Sequence, residues 1–225
     1  AVFKYDTNQI LEVSAKVTID ATDIGESLKM AGATYRLGMD SKNETLETNA
    51  PLQANDIVQD LTWVAVLKDY GSAADKTISK PEGYNSLNFK GSCVETVDNI
   101  KIDCNKMLAY GKLPNNKYMI NWPTKGNDIY LNVVEMSRED RNATLLKARN
   151  YTLQFVYYIQ NELGYKNLGL ADDEFKTNDL LAYAPYHREG RRLKGISFFT
   201  YNDVAEPYNQ KQSLYKTGIS VGDYP

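Results

Sequence analysis

The chain has 225 residues, of which 42% are hydrophobic and 24% charged, and its formal net charge is −3. That length suits one large domain or two small ones, with enough chain to bury a core. Basic residues dispersed under a net negative charge speak against a nucleic-acid surface, and no apolar run reaches the length of a membrane span. No signal-peptide pattern opens the chain, so a soluble protein is expected, with cytoplasmic and periplasmic or secreted locations both open.

Phe3 to Tyr5 and Ile10 to Val13 are short β-prone runs around "DTNQ", and they predict a hairpin. A further β-prone run, Ala15 to Ile19, leads into the stretch "IDATDIGE". Small residues directly after a buried strand let a ligand approach the backbone, and a nucleotide is the commonest such ligand. "DIGESLKMAGA", Asp23 to Ala33, predicts a short helix with Leu28, Met30 and Ala31 on its buried face. Its first turn, beside Thr22 to Gly25, is expected to offer free N–H groups to an anion. Asp40 to Ala54 is polar and reads as a loop. "IVQDLTWVAVLKDYG" carries a continuous apolar run that predicts a buried strand, and Gly71 to Ser92 reads as loop.

Cys93 and Cys104 flank "VETVDNIKID", whose central Asp-Asn predicts a hairpin carrying both thiols. A cross-strand disulfide and two reduced thiols both remain open, depending on the compartment. A zinc site is not expected, because the chain has no Cys-x-x-Cys and a single His. The clearest element is Ser137 to Leu163. Ser137 is placed to cap it, Asp140 sits in the capping-box position, and Gly164 follows as a stop. Leu145, Ala148, Thr152, Phe155, Tyr158 and Ile159 recur at helical steps and predict the buried face. The remainder alternates β-prone runs with turn residues, without regular βαβ alternation. An α+β fold is expected, with a mixed or antiparallel sheet and one long amphipathic helix.

Few residues offer chemistry of their own. His187 lies in "PYHREGRR" among Arg188, Arg191 and Arg192, a cationic setting that speaks against general-base work, so a surface or packing role is expected. The three arginines suit a bidentate clamp on a carboxylate or phosphate, or else an ion-pair network with acids such as "ADDE", Ala171 to Glu174. "NWPTKGND", Asn121 to Asp128, is either a loop that sets Trp122 over a pocket or a plain connection. The 17 tyrosines suit sugar or aromatic ligands, but strand packing accounts for them as well. Asn43, Asn142 and Asn150 begin Asn-x-Thr patterns, two of them within the predicted long helix, a poor place for a glycan.

Five ordered stretches together resemble a known family. "AKVTIDATDIGESLKMAGATYRLG", "NWPTKGNDIYLN", "LQFVYYIQNELGYKNLGLADDEF", "PYHREGRRLKG" and "YKTGISVGDYP" are similar to blocks of bacterial FAD-dependent oxidoreductases, among the glutathione-reductase-like flavoproteins. The resemblance implies FAD as cofactor, a small-molecule substrate, and cofactor contacts at Ala21, Thr22, Gly25 and Glu26. It leaves the catalytic residues unassigned, with Trp122, Arg188, Arg191 and Arg192 as substrate or anion-binding candidates. The family's Gly-x-Gly-x-x-Gly fingerprint is missing: no two of the 14 glycines stand in a Gly-x-Gly. The resemblance therefore implies an interior piece of a flavoenzyme, with residues 1–38 a remnant of the FAD-binding domain and 39–225 a substrate-side domain. Its partners would be the missing FAD-binding segments, and weak or absent flavin binding is expected of the piece by itself. The alternative is a non-catalytic module holding a carbohydrate or peptide through Trp122 and the tyrosines.

Overall fold

The computed structural model describes residues 2–4, 7–93, 96–97, 100–101 and 103–205. The "YKTGISVGDYP" block lies outside the described residues. The chain opens with the expected hairpin, β1 (Val2–Lys4) and β2 (Ile10–Glu12), with Phe3 opposite Leu11. The next expected strand does not form: residues 15–19 join no ladder, and Val17 and Ile19 are 74% and 84% exposed. β-prone residues form a strand only where a neighbour satisfies their N–H and C=O groups, and no described segment does so here.

The helix expected over Asp23 to Ala33 is reduced to α1 (Glu26–Met30), which buries no side chain. Gly25 sits in the left-handed region at φ 72°, so the helix starts after it and the predicted face loses its phase. Met30 and Ala31 are exposed and Leu28 is half-buried. The residue that goes inside is Ile24, which packs with Val58 and Val134 against Leu37 in a small second core. Strand β3 (Tyr35–Arg36) follows, and a short helix, α2 (Lys42–Thr45), interrupts the polar segment expected as loop.

The predicted buried strand is present but broken in two, as β4 (Leu61–Thr62) and β5 (Ala65–Asp69). Gly71 to Ser92 is loop apart from one 3₁₀ turn at Ser86–Asn88. Strands β6 (Thr96–Val97) and β7 (Ile100–Lys101) pair as a hairpin. The cysteines flank it instead of lying in its strands, because Cys104 opens α3 (Cys104–Tyr110). Cys93 and Cys104 are joined as a disulfide, which decides the question left open by the sequence.

The rest of the chain comprises β8 (Lys112–Leu113), β9 (Lys117–Ile120), β10 (Asp128–Ile129), α4 (Arg138–Asn161), β11 (Leu168–Leu170), β12 (Tyr186–His187), β13 (Arg192–Leu193) and α5 (Tyr201–Ala205). The strands form a four-stranded sheet in the order β11-β5-β9-β8, a three-stranded sheet β10-β4-β12, and the pairs β3-β13, β1-β2 and β6-β7. Every described pairing is antiparallel, and the fold is α+β.

Helix α4 carries the main core. Ser137 caps it as predicted, its Oγ accepting from the Asp140 N–H and donating to the Asp140 carboxylate. Phe155 and Ile159 are fully buried, and Phe89 packs among the rings of Tyr151, Phe155 and Tyr158 at 5.1–5.7 Å. The same face buries Gln160, whose amide donates to the Lys76 and Leu168 carbonyls and accepts from the Ile78 N–H. That glutamine sews the long loop after β5 onto the helix without leaving a polar atom stranded.

Replacing Phe155 by Ala is expected to lower stability by about 3–5 kcal/mol, the range for emptying a fully enclosed aromatic site. Urea unfolding with a change near zero would show that this ring does not anchor the helix. Replacing both Cys93 and Cys104 by Ala is expected to remove about 3 kcal/mol, because the bridge closes a short loop that is otherwise free in the unfolded chain. The matching measurement is the melting temperature of oxidised and reduced protein.

Candidate functional site

Strand β4 gathers the site. It runs between β10 and β12, so Thr62 lies opposite both Asp128 and Tyr186, and Leu61 opposite both Ile129 and His187. Two blocks far apart in sequence, "NWPTKGND" and "PYHREGRR", thereby meet across one two-residue strand.

The first block is built around Asn127, which is fully buried. Its amide N–H groups donate to the carbonyls of Ile120 at 2.9 Å and Trp63 at 3.3 Å, and its oxygen accepts from the Trp122 N–H at 3.0 Å. Gly126 permits the turn, since a Cβ there would lie 2.0 Å from the Trp122 carbonyl oxygen. Trp122 donates its indole N–H to the Ser92 carbonyl and meets Tyr110 edge-on at 5.6 Å. It packs against the main core as a structural anchor of the loop.

The arginines of the second block are all engaged by other groups of the chain, and of the three only Arg191 is buried. Arg188 donates to Asn121 Oδ1 at 2.9 Å and to Thr62 Oγ1 and the Asp60 carbonyl at 3.0 Å, and pairs with Asp128 at 3.0 Å. Arg191 has a side chain only 1% exposed, donates to the Ile24 and Val134 carbonyls, and pairs with Glu135 at 2.8 Å. Arg192 pairs with Asp40 and Glu189 and donates to the Gly38 carbonyl. This is an ion-pair network, with partners other than the acids expected: the "ADDE" stretch pairs instead with Lys68 and Lys117. Buried guanidiniums need such partners, because an unpaired charge there is strongly unfavourable.

The "IDATDIGE" turn is also satisfied internally. Thr22 Oγ1 accepts from the Glu26 N–H at 2.7 Å, Asp20 accepts from the N–H groups of Thr22 at 2.9 Å and Leu28 at 2.7 Å, and the Lys29 N–H reaches the Gly25 carbonyl. The hydroxyl and amide of Thr22 hold the Asp20 carboxyl below its ordinary pKa, with the Leu28 N–H assisting against slight desolvation. The free N–H groups expected here for an anion are therefore taken by Asp20 and Thr22. An acid two residues before a Thr was the available signal for that cap. Glu26 turns to Arg141 at 2.5 Å and to Arg191 at 3.6 Å, and Ala21 is exposed beside the turn.

The turn and the arginine block are packed backbone to backbone. A Cβ on Gly25 would lie 3.0 Å from Arg191 Cβ, and one on Gly190 would lie 2.7 Å from Ile24 Cα. The Arg191 N–H bonds to the Ile24 carbonyl at 3.2 Å. Together they wall a cavity of about 640 Å³, to which Thr22, Gly25, Arg188, Arg191 and Arg192 all contribute. Trp122 is not part of that wall. His187 takes the packing role: it is half-buried, Nδ1 pairs with the Asp23 carboxylate, and Nε2 is enclosed without a hydrogen-bond partner.

A family model of FAD-dependent oxidoreductases matches residues 2–225. The chain belongs to this family. Comparison with curated proteins and with solved structures gives no match. For an FAD-dependent oxidoreductase the composition of the cavity is informative. Arg188, Arg191 and Arg192 stand against Asp20, Asp23 and Glu189, three cations against three anions. A wall of balanced charge whose Thr22, Gly25, Leu28 and Arg191 amides are already bonded does not fit the pyrophosphate of FAD.

Glu135 holds the wall from behind, and nothing in the sequence singles it out. Burial pushes its carboxyl pKa up, but hydrogen bonds from Lys29, Tyr35 and Arg191 outweigh this and hold it below the ordinary glutamate value. Its contribution to stability is thus complete above the ordinary glutamate range and is lost as pH falls through that range to the lower folded-state value. Glu135→Gln is expected to be less stable at neutral pH and to lose less on acidification. Unfolding curves from pH 7 to pH 3 check this, and identical acid profiles would exclude the linkage.

Proposed function

We propose that these residues form the substrate-side part of an FAD-dependent oxidoreductase, with Thr22 and Gly25 lying against the flavin. The observation that carries this reading is the single cavity walled by both the "IDATDIGE" turn and the arginine block. FAD, when bound, supplies the redox chemistry; the chain supplies a fixed polar wall and the walls of a small-molecule site. Within that wall Arg188 and Arg192 face the substrate side. Glu26 acts through Arg141 and Arg191 as a positioning residue, and Ala21 allows the chain to pass close to the ring.

Residues 1–38 are assigned to the FAD-binding unit and 39–225 to the substrate-side domain. The exposed Val17 and Ile19 support this division, since an uncovered β-prone run suits a strand that pairs with a flavin-domain neighbour. The absence of any Gly-x-Gly supports it too, because the pyrophosphate grip must then come from residues other than these. The order of the five blocks supports the bacterial, glutathione-reductase-like subgroup. The Cys93–Cys104 disulfide supports an oxidising compartment. No described helix is long and apolar enough to cross a membrane.

The test is a flavin titration of the 225-residue chain beside a longer form carrying a Gly-x-Gly-x-x-Gly segment. Weak or no binding is expected for the former and stoichiometric flavin for the latter. Gly25→Val in the longer form is expected to lose flavin, with Thr22→Val as the gentler variant should the first fail to fold. Full flavin content in both variants would remove the turn from the cofactor site.

A further inference from the structure

A second cavity, of about 670 Å³, is lined in part by Arg192, which also lines the first. It is formed between the loops around 38–51 and 198–205, and its size is that of a small-molecule site. Its lining carries two carboxylates, Asp40 and Glu47, and one guanidinium, Arg192. Asp40 pairs with Arg192 and Arg36, and Arg192 pairs with Glu189 as well. Glu47 pairs with no cation among the described residues, and the ammonium of Lys42, on the same loop, is turned to the Thr48 carbonyl.

Glu47 is nevertheless held in place. Its Oε1 accepts the Tyr201 N–H at 2.7 Å, which ties the start of α5 to the facing loop. A backbone N–H is neutral, so this bond fixes the half-buried carboxylate without cancelling its charge. A charge already fixed in the free protein costs little ordering when a ligand pairs with it. The Tyr201 ring rises from the same residue whose N–H Glu47 grips, so carboxylate and ring are neighbours by construction. Phe199, two residues earlier, lines the same cavity, and both side chains are over half exposed (61% for Phe199 and 67% for Tyr201). A fixed carboxylate beside aromatic surface attracts an organic cation, since the carboxylate and the ring faces both draw positive charge. An anion would meet an excess of its own sign, and a neutral ligand would make no use of the charge.

We propose that this cavity binds an organic ammonium, its charge on Glu47 and its apolar part against Tyr201 and Phe199. The site stands on its own charge and lining and does not depend on the flavin reading above.

The experiment is isothermal titration of the 225-residue chain, without flavin, with benzylamine, and with benzyl alcohol and benzoate as neutral and anionic counterparts of the same ring. Benzylamine is expected to bind in the millimolar range, to weaken as salt is raised, and to exceed both counterparts by about tenfold. Glu47→Gln keeps an oxygen for the Tyr201 N–H, so it is expected to melt as the parent does and to lose the preference for the amine. Tyr201→Leu leaves that N–H and the acid in place and is expected to weaken benzylamine about threefold. No binding of benzylamine, equal binding of benzyl alcohol, or an amine preference untouched by Glu47→Gln would overturn the proposal. Should Glu47→Gln melt lower than the parent, Tyr201→Leu decides, and unchanged amine affinity in that variant would discard the site.

Discussion

Much of the architecture depends on one stranded carbonyl. The chain leaves one sheet after Thr62 and enters another at Ala65, so the Trp63 carbonyl between them has no ladder partner. Buried, it must be satisfied by side chains, and Thr152 from the middle of α4 donates to it at 2.6 Å while Asn127 donates at 3.3 Å. That junction fixes the long helix, both sheets and the "NWPTKGND" loop relative to one another. The break in the strand is what allows β4 to serve a different sheet from β5. Without it, Thr62 could not lie between Asp128 and the strand that leads into Arg188.

From this junction the constraint travels outward. Asn127 sets the loop, the loop presents Asn121 and Asp128, and these hold Arg188 over Thr62. Three residues later Arg191 reaches back to the Ile24 carbonyl and Glu135, and so holds the Gly25 turn in place. Each guanidinium spends its donors on orienting backbone and carboxylates. Donors already engaged in the free protein need no rearrangement when a ligand arrives. The charge of the three arginines is compensated within the chain, by Asp128, Glu135, Asp40 and Glu189.

The two cavities meet at Arg192, itself held by Glu189, Asp40 and the Gly38 carbonyl. The β3–β13 pair, with Arg36 opposite Arg192 and Tyr35 opposite Leu193, sets the backbone of that partition. That strand backbone and its ion-paired side chains separate the turn that faces one cavity from the loops that line the other.

How much of this was legible beforehand depends on the range of the interactions. The helix from Arg138 to Asn161, its Ser137 cap and its Phe155 face could be read from the sequence because capping and periodicity involve residues three or four positions apart. The first hairpin, the buried run around Trp63 and the α+β class were readable for the same local reason. The five ordered blocks likewise carried the family. The fate of Ala15 to Ile19 was not readable, since a strand's existence depends on a neighbour that local pattern cannot supply. Nor was the use of each arginine, because Glu135 lies 56 residues from Arg191 and Asp128 lies 60 from Arg188, and only the packed chain brings those charges together. The disulfide shows the same boundary: the sequence supplied two cysteines 11 residues apart, and the hairpin between them brought their Cα atoms to 5.0 Å. Sequence by itself determined which segments could be helix, strand or turn; tertiary structure decided which polar groups satisfy one another, because that is settled by distance in space.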